Sequence, residues 1–453
     1  MLYWMQASQR ADGNHALELA VRRANRLNQP VVVGFGLTDE YPEANERHYA
    51  FMLEGLAETG RRLAERGIQL VVRRGSPPAV AGELAEAGAS LVVTDRGYLR
   101  HQRLWREELA VHVGRRCYQV ESDAVVPVEA ASDKDEYAAR TLRPKLHRQW
   151  PRFLVPLKAA PARRDSLGLR LDSLDIARTD EVLGALDVNR AVGRVGHYVG
   201  GLSHARRRLR AFITTKLRDY AERRGDPSLD IQSHMSPYLH FGQISPLEVA
   251  LAVRRGRARD RAGKDAYLEE LLVRRELAIN FVFYNRRYDT FASLPRWARA
   301  TLRAHRRDRR EHVYTLRQLA TAKTHDPHWN AAMTEMRLTG KDVRDSHLFR
   351  RVRVGPSLTP ATRAGGAGGR PARGRRTPGP DGPGAHRLEN LCHLFSVPRR
   401  WSCCLPVGAP CPHWLRVPGC QVARASLPRP GANVKKGISN SEHLPAEGRP
   451  KAD

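Results

Sequence analysis

Residues 269–284 read EELLVRRELAINFVFY, and their pattern determines how the second half of the chain is built. The apolar residues recur at helical spacing, so we predict one helix that is largely buried. Five polar residues interrupt its apolar face: Glu270, Arg274, Arg275, Glu276 and Asn280. Glu270 with Arg274, and Glu276 with Asn280, are four apart and should share a side of the helix. Because buried charge is costly unless paired, this face is either a structural ion-pair ladder or a functional site.

Three further motifs favour the functional site. They are residues 233–246 (SHMSPYLHFGQISP), residues 322–336 (AKTHDPHWNAAMTEM) and an opening Tyr3-Trp4-Met5 followed by Gln9-Arg10 and Asn14-His15-Ala16-Leu17. Together with RREL and the Asn-Phe pair behind it, they resemble the class II cyclobutane pyrimidine dimer photolyases, which are light-driven DNA repair enzymes. The resemblance covers roughly residues 1–341, and four separated motifs in the right order make chance a poor explanation.

Residues 1–150 alternate short apolar runs with amphipathic segments. The runs at 30–36, 68–72 and 90–94 predict buried parallel strands. Helices are predicted between them, at 15–27, 47–66 and 78–87. This alternation predicts an open, Rossmann-like parallel α/β sheet, whose switch point is a place for a ligand. In the family that the motifs resemble, this domain carries an antenna chromophore, and no motif here identifies one.

Composition limits the possible partners. The chain of 453 residues is long enough for two or three domains, and its net charge of +29 with a pI near 10.7 favours nucleic acid. We find no run of about 18 apolar residues and no basic n-region at the start, so we expect neither a membrane span nor a secretory signal. Because Cys117 is the one cysteine before residue 342, we expect a reduced cytoplasm, with nucleoid association in a prokaryote.

Amino-acid composition and hydrophobic periodicity divide the chain into four parts. After the α/β region, residues 151–200 read as an interdomain connector and residues 201–341 as a helical domain. Residues 342–453 hold 15 of the 29 prolines, 14 of the 36 glycines and five of the six cysteines, so we expect disorder there. The cysteine and histidine spacings in this tail match no zinc pattern, and we expect no metal site.

The tail also departs from the family that the motifs resemble. A member should carry further helices after Lys341, with a Met-Arg-Met-Tyr-Trp-like segment and a later Asp-Gly-Arg-Asp-Pro-Asn-Gly-like loop, and neither is present. The abrupt change to Arg-, Pro-, Gly- and Cys-rich sequence is typical of a shifted reading frame in GC-rich DNA. We therefore expect the all-α flavin domain to be truncated and the tail to be out of frame.

The resemblance implies FAD as the cofactor, because no side chain is a strong enough photoreductant to split a dimer. Ser233 and Ser236 lie where the family binds the FAD diphosphate, although a helix N-cap explains them equally well. Met235 occupies a position where the family often has Leu. Tyr220 and Gln232 would flank the same cofactor.

Catalytic roles follow from the same resemblance. Glu270 is the candidate lesion contact, because a carboxyl group in a dry pocket has a raised pKa and would share a hydrogen bond with a thymine carbonyl. Arg274 and Arg275 would pair with Glu270, hold flavin or contact phosphate, with one of them at the flavin. Trp329 resembles the outer member of the family's tryptophan relay, while its residue type alone favours the core. For Asn280 two roles stay open: a functional contact, or a buried amide whose hydrogen bonds are satisfied within the core.

Arginine-rich faces should bind DNA phosphates and make affinity depend on salt. Arg286 and Arg287 are the candidates, with further runs at 206–208, 254–255 and 306–310. The expected partner is DNA that contains pyrimidine dimers, flipped out of the duplex, and the expected state is a monomer. Two alternatives stay open: a cryptochrome-like flavin photoreceptor on the same fold, and an impaired relic of the enzyme with residual DNA affinity.

Overall fold

The structure is a computed structural model that describes residues 1–226, 228–308, 312–341 and 420–422. The strands of the described part are β1 (Leu2–Trp4), β2 (Val32–Leu37), β3 (Gln69–Arg74), β4 (Leu91–Asp95), β5 (Arg116–Val120) and β6 (Cys420–Val422). Helices α1 to α8 are His15–Arg26, Glu46–Ala64, Pro77–Glu86, Arg100–His112, Val128–Ala131, Ala139–Phe153, Thr179–Ala185 and Leu202–Ala211. Helices α9 to α16 are Tyr220–Arg223, Ser236–His240, Pro246–Arg254, Arg261–Leu268, Arg275–Tyr284, Arg296–Ala304, Leu316–Ala320 and Pro327–Thr339.

The N-terminal region is a doubly wound parallel sheet with the strand order β3-β2-β1-β4-β5-β6. Successive residues of β1 point to opposite faces, so Tyr3 joins the core beneath α1 and α2, while Trp4 joins the core beneath α3 and α4. The predicted Rossmann-like sheet is therefore confirmed, as are its three predicted strands and the helices between them.

Strand β1 contains Tyr3 and Trp4 of the opening motif, whereas β5 and β6 were not predicted. The sequence of β5, RCYQV, mixes exposed and half-buried residues and so lacks the continuous apolar run of a central strand. Strand β6 lies in the tail, where Cys420 pairs in parallel register with Cys117. The other residues of 342–453, with the predicted disorder and reading-frame change, lie outside the described residues.

The connector covers the edge of the sheet at β3. Ser166 accepts a hydrogen bond from the Gln69 amide at 2.8 Å and donates to the Val31 carbonyl at 2.6 Å. Further along, Ser173 accepts from the Val72 amide at 2.9 Å. Because an uncovered edge strand is a template for aggregation, this strap satisfies backbone groups that would otherwise be open.

The second half is helical, as predicted, and it contains two π-helical turns, Phe212–Lys216 and Glu269–Arg274. The second π-turn joins α12 to α13 without a break, so the predicted helix starts earlier than residue 269 and is not uniformly α-helical. Its burial is confirmed, since all residues from Arg275 to Val282 are buried. None of the described helices is long and apolar enough to cross a membrane.

Arg10 ties the two halves together. Its side chain is 1% exposed and donates to the carbonyls of Gly242 at 2.9 Å, Ser122 at 2.6 Å and Gly13 at 3.3 Å. A guanidinium group can saturate several carbonyls at once, so one buried side chain fixes the α/β region against the turn that follows α10.

Candidate active site

The π-turn sets which charges meet. Glu269 and Arg274 are five residues apart, and their Oε1 and Nε atoms lie 3.4 Å apart, which fits the i to i+5 repeat of a π-helix. Glu269 also receives a two-pronged ion pair from Arg143, at 2.7 and 2.9 Å. Burial alone would raise the pKa of Glu269, but the two arginines bring that pKa below its ordinary value. The π-turn thus brings Arg274 to Glu269, whereas the suggested pairing of Arg274 with Glu270 was based on α-helical spacing.

Glu270 instead pairs with Arg224, whose Nη1 lies 3.3 Å from Oε1 of the carboxylate. The dry pocket expected around Glu270 is also wrong, because the Glu270 side chain is 34% exposed and that of Arg224 is 38% exposed. A pair this exposed contributes about 0–1 kcal/mol to stability, so other charged groups can compete for either partner.

Arg224 connects Glu270 with two predicted cofactor residues. Its guanidinium lies 5.8 Å from the ring centroid of Tyr220, and its carbonyl accepts a hydrogen bond from Gln232 Nε2 at 2.8 Å. The sequence reading missed Arg224, although it follows Tyr220 at i+4 in an Arg-Arg pair and so faces the same side. The structure thus brings Tyr220, Gln232 and Glu270 around one arginine.

An aromatic cluster forms the base of this site. The Tyr220 ring lies 5.4 Å from those of Phe212 and Tyr267, and the latter two are 4.8 Å apart. Tyr267 donates its hydroxyl to Ser233 Oγ at 3.0 Å, and burial raises the pKa of Tyr267 to about 12. Phe212 and Tyr267 therefore belong to the site, and the sequence reading missed both because they resemble ordinary core residues.

The loop before α10 holds the remaining predicted residues. Ser236 is the first residue of α10 and is exposed, whereas Met235 is 1% exposed and packs in the core. His234 has a φ of 56° and its Nε2 lies 2.6 Å from Asp230. Ion pairs at 2.9 and 4.0 Å bring the ammonium groups of Lys216 and Lys341 to that same aspartate. Lys341 also lies 3.7 Å from Glu335, so two ammonium groups and two carboxylates meet beside this loop.

The other polar residues of α13 hold the segment that follows β5. Arg275 lies on Asp123, with Nη2 3.5 Å from Oδ2, and it also donates to the Asp123 carbonyl. Glu276 accepts hydrogen bonds from the amides of Val125 and Val126 at 2.8 and 3.3 Å. Burial raises the pKa of Glu276 to about 8, against the lowering effect of these bonds.

Asn280 continues the same row of contacts. Its Oδ1 accepts from the Glu136 amide at 2.8 Å, and its Nδ2 donates to the Lys134 carbonyl at 3.0 Å. The structure gives Asn280 the contacts of a satisfied core amide. Glu276 and Asn280 do share one side of the helix, as the four-residue spacing predicts.

Trp329 packs elsewhere, in a small cluster with Leu319 and Met333. The ring is 8% exposed, and its Nε1 donates to the Leu319 carbonyl at 3.2 Å. Asp326 caps α16 by accepting hydrogen bonds from the amides of His328 and Trp329.

Arg286 and Arg287 lie in the turn after α13, and both are exposed. Two of the other predicted phosphate contacts have partners within the protein: Arg206 pairs with Glu248 and Asp12, and Arg208 lies 5.0 Å from the Tyr198 ring centroid. Arg309 and Arg310 lie outside the described residues.

The fold and the site define a class of protein: a Rossmann-like domain followed by a helical domain that carries its acidic residue on a π-turn. Solved structures share this fold. A cryptochrome from Synechocystis sp. PCC6803 superposes with a TM-score of 0.61 at 16% identity, over 76% of this chain and 72% of that one. A class III photolyase from Agrobacterium tumefaciens gives 0.58 at 19% identity, over 76% and 70%.

Sequence comparison identifies the family within this class. The family model described as DNA photolyase matches residues 1–162. The deoxyribodipyrimidine photo-lyase of Methanothermobacter thermautotrophicus is 48% identical over 343 residues, which cover 75% of this chain and 74% of that protein. The protein of the same name from Arabidopsis thaliana is 36% identical over 349 residues, covering 75% and 70%. The chain belongs to the DNA photolyase family.

Proposed function

We propose that this chain is a deoxyribodipyrimidine photolyase of class II, a carbon–carbon lyase that uses light to split cyclobutane pyrimidine dimers in DNA. The observation that carries the proposal is the meeting of Glu270, Tyr220 and Gln232 around Arg224. The identity of 48% to a deoxyribodipyrimidine photo-lyase supports it. The cryptochrome alternative has weaker support, since the matching cryptochrome DASH is 25% identical and covers 48% of this chain.

The residues around the α10 loop fit the diphosphate of FAD. Lys216 and Lys341 surround Asp230, and Ser233 and Ser236 place hydroxyl groups on the same loop. Ammonium groups and hydroxyl groups are donors that a diphosphate can use. Tyr220 and Arg274 complete the proposed cofactor contacts, and Arg275, a second candidate, makes its described contacts with Asp123.

When bound, the reduced flavin would supply the excited electron that opens the cyclobutane ring. Glu270, as a carboxylate, accepts a hydrogen bond from the imide N–H of a base in the flipped dimer and so orients the dimer at the flavin. Arg224 holds the Glu270 carboxylate until the lesion arrives and then offers its guanidinium to a phosphate. Trp329, in its cluster with Leu319 and Met333, is the proposed outer member of an electron relay, and Arg286 and Arg287 are the proposed contacts to the DNA backbone.

A second chromophore would bind at the switch point between β1 and β4. Gln6 follows β1 directly, and both polar atoms of its buried amide lack a partner within the described residues. An unpaired buried amide is rare, and a polar ligand would satisfy it.

The test is the visible absorption spectrum of the purified chain, followed by blue illumination with DNA that contains dimers. We expect flavin absorption and a loss of dimers that depends on light. Dark incubation with the same DNA is the control. A chain that binds flavin but leaves the dimers intact under light would refute the proposed activity.

A further inference from the structure

A basic surface that is separate from the candidate site follows α13. Residues 286–307 carry seven arginines, and the one acidic residue among them is Asp289. Asp289 is already neutralised by Arg100, with Nη2 2.6 Å from Oδ1. Within the described part of the chain, Arg287, Arg296 and Arg303 form no ion pair. Because these three arginines have no carboxylate partner there, the surface keeps its positive charge, in contrast to many paired arginines elsewhere in the protein.

Helix α14 presents these charges together with an aromatic ring. Arg296, Arg299 and Arg303 stand at positions i, i+3 and i+7, which lie along one side of an α-helix. None of the nine residues of α14 is buried, and Trp297 beside the arginine row is 47% exposed. A large exposed ring on a surface rich in arginine is unusual for a solvated helix and typical of a nucleic-acid contact.

The start of this surface is fixed to the α/β region. The Arg100 guanidinium binds Asp289 and donates to the Arg286 carbonyl at 2.9 Å, while its backbone amide donates to Tyr288 Oη at 2.9 Å. The Arg100 guanidinium also lies 5.9 Å from the Tyr288 ring centroid. These contacts hold the turn after α13 in one place, so Arg287 is presented from a rigid support.

The length of the helix between Glu270 and the basic surface indicates how far this surface lies from the candidate site. The continuous helix rises fourteen residues from Glu270 to its end at Tyr284, which is about 20 Å at roughly 1.5 Å per residue, and the turn with Arg286 and Arg287 follows. Successive phosphates of one DNA strand are about 3.4 Å apart along the duplex axis, so this distance corresponds to roughly six nucleotides. A partner that occupies both places must therefore be a long polyanion.

We propose that Arg287, Arg296, Trp297 and Arg303 form a second DNA-binding surface that contacts the duplex several nucleotides from the flipped dimer. The arginines bind phosphates, and the Trp297 ring packs against a deoxyribose, so this surface reads no base sequence. The choice of DNA as the polyanion rests on the proposed function. The surface increases the residence of the protein on DNA, while Glu270 acts at the lesion.

The experiment compares the full chain with the variant Arg296→Gln/Arg303→Gln. A matched control, Arg163→Gln/Arg170→Gln, removes two exposed arginines from the connector that form no ion pair among the described residues. Binding to an undamaged duplex of about 20 base pairs is titrated between about 50 and 200 mM salt. We expect the α14 variant to bind about ten-fold more weakly at the lowest salt. The slope of log affinity against log salt concentration should also be smaller in magnitude by about 2, because two phosphate contacts are lost. The connector variant should match the parent chain.

Two further measurements separate the possible outcomes. Trp297→Ala should weaken duplex binding without changing the salt slope, because it removes no charge. An unchanged slope in the α14 variant, or an equal loss in the connector variant, would overturn the second surface. Splitting of an isolated dinucleotide dimer by the parent chain tests the proposed function by itself, since a dinucleotide is too short to reach α14. If that splitting fails, the duplex titration still decides the inference.

Discussion

At the scale of single residues, the site depends on how loosely Glu270 is held. The carboxylate pairs with Arg224 at 3.3 Å, but both side chains are about one-third exposed. Such a pair contributes little to stability and is open to exchange. A lesion and its phosphate offer one partner to each of these two groups, so binding would replace the ion pair with two new contacts.

Glu270→Gln should lower the number of dimers split per absorbed photon by about ten-fold while flavin absorption is retained. The amide lacks the charge of the carboxylate, and a hydrogen bond to a charged group is worth about 1.5–3 kcal/mol. The measurement is repair yield under calibrated light, with flavin content determined on the same sample. Glu222→Gln, an exposed carboxylate of α9, is the control and should match the parent. An unchanged yield in Glu270→Gln would remove Glu270 from the catalytic residues.

Glu276 gives the protein a pH-dependent stability. Its pKa is raised from 4.5 to about 8, chiefly by burial, so the folded protein keeps a proton that the unfolded chain releases. The free energy of unfolding should therefore fall as the pH rises from about 4.5 to about 8. Glu121, whose burial raises its pKa to about 7, acts in the same direction.

Glu276→Gln should make that pH dependence weaker. Glutamine cannot lose a proton, and its Oε1 can still accept from the Val125 and Val126 amides. At pH 8 the variant should be more stable than the parent by a few kcal/mol, since one pKa unit corresponds to about 1.4 kcal/mol. Urea unfolding at pH 5 and pH 8 measures both values, with the exposed Glu107→Gln as control. Parallel pH profiles for Glu276→Gln and the parent would contradict the assignment.

At the scale of elements, α13 holds the segment after β5 through a row of polar side chains. The sequence predicted a buried helix whose charges must be satisfied, and it gave the shared side of Glu276 and Asn280 correctly. The pattern did not predict the π-turn, because the apolar periods of α- and π-helices are too similar over six residues. That turn moves Arg274 onto Glu269 and leaves Glu270 to Arg224, which no four-residue spacing could show.

Asn280→Ala should lower the free energy of unfolding by about 2–4 kcal/mol, because it leaves a buried amide of Glu136 and the Lys134 carbonyl without partners. Asn25→Ala is a matched control, since Asn25 also bonds one backbone carbonyl and one backbone amide, but in exposed positions. We expect that control to cost less than about 1 kcal/mol, because water replaces its lost bonds. Equal losses, measured by urea unfolding, would show that α13 does not fasten this segment.

At the scale of the whole molecule, the sheet was the more predictable half. Continuous apolar runs such as 30–36 become central strands because both faces of a parallel sheet are buried. Strand β5, which lies between β4 and β6, lacks that signal because its sequence RCYQV is not a continuous apolar run. The candidate site was less predictable: Arg224 and Tyr267 come from separate helices, and their meeting with Glu270 depends on tertiary packing. The motifs indicated which segments form the site, but the ion pairs within it could be identified only from the structure.

Arg10 should make the two halves unfold together. It is buried, and it reaches both the Ser122 carbonyl and, in the helical half, the Gly242 carbonyl. Arg10→Gln leaves buried carbonyls unpaired at the junction, with an expected loss of about 3 kcal/mol or more. Because that loss falls on the contact between the halves, one urea transition should separate into two. Far-UV circular dichroism and tryptophan fluorescence would then give different midpoints.

Arg66→Gln is the control for this prediction. Arg66 pairs with Glu18 at 2.7 Å and donates to the Ala11 and Ala160 carbonyls, so its contacts lie on the α/β side of the junction. Its loss should shift the midpoint of a single transition without dividing it. If Arg10→Gln also unfolds in one transition at a lower midpoint, Arg10 stabilises the fold but does not couple its halves. Packing between α2 and α8, where Glu58 accepts from the Ser203 amide, would then carry the coupling.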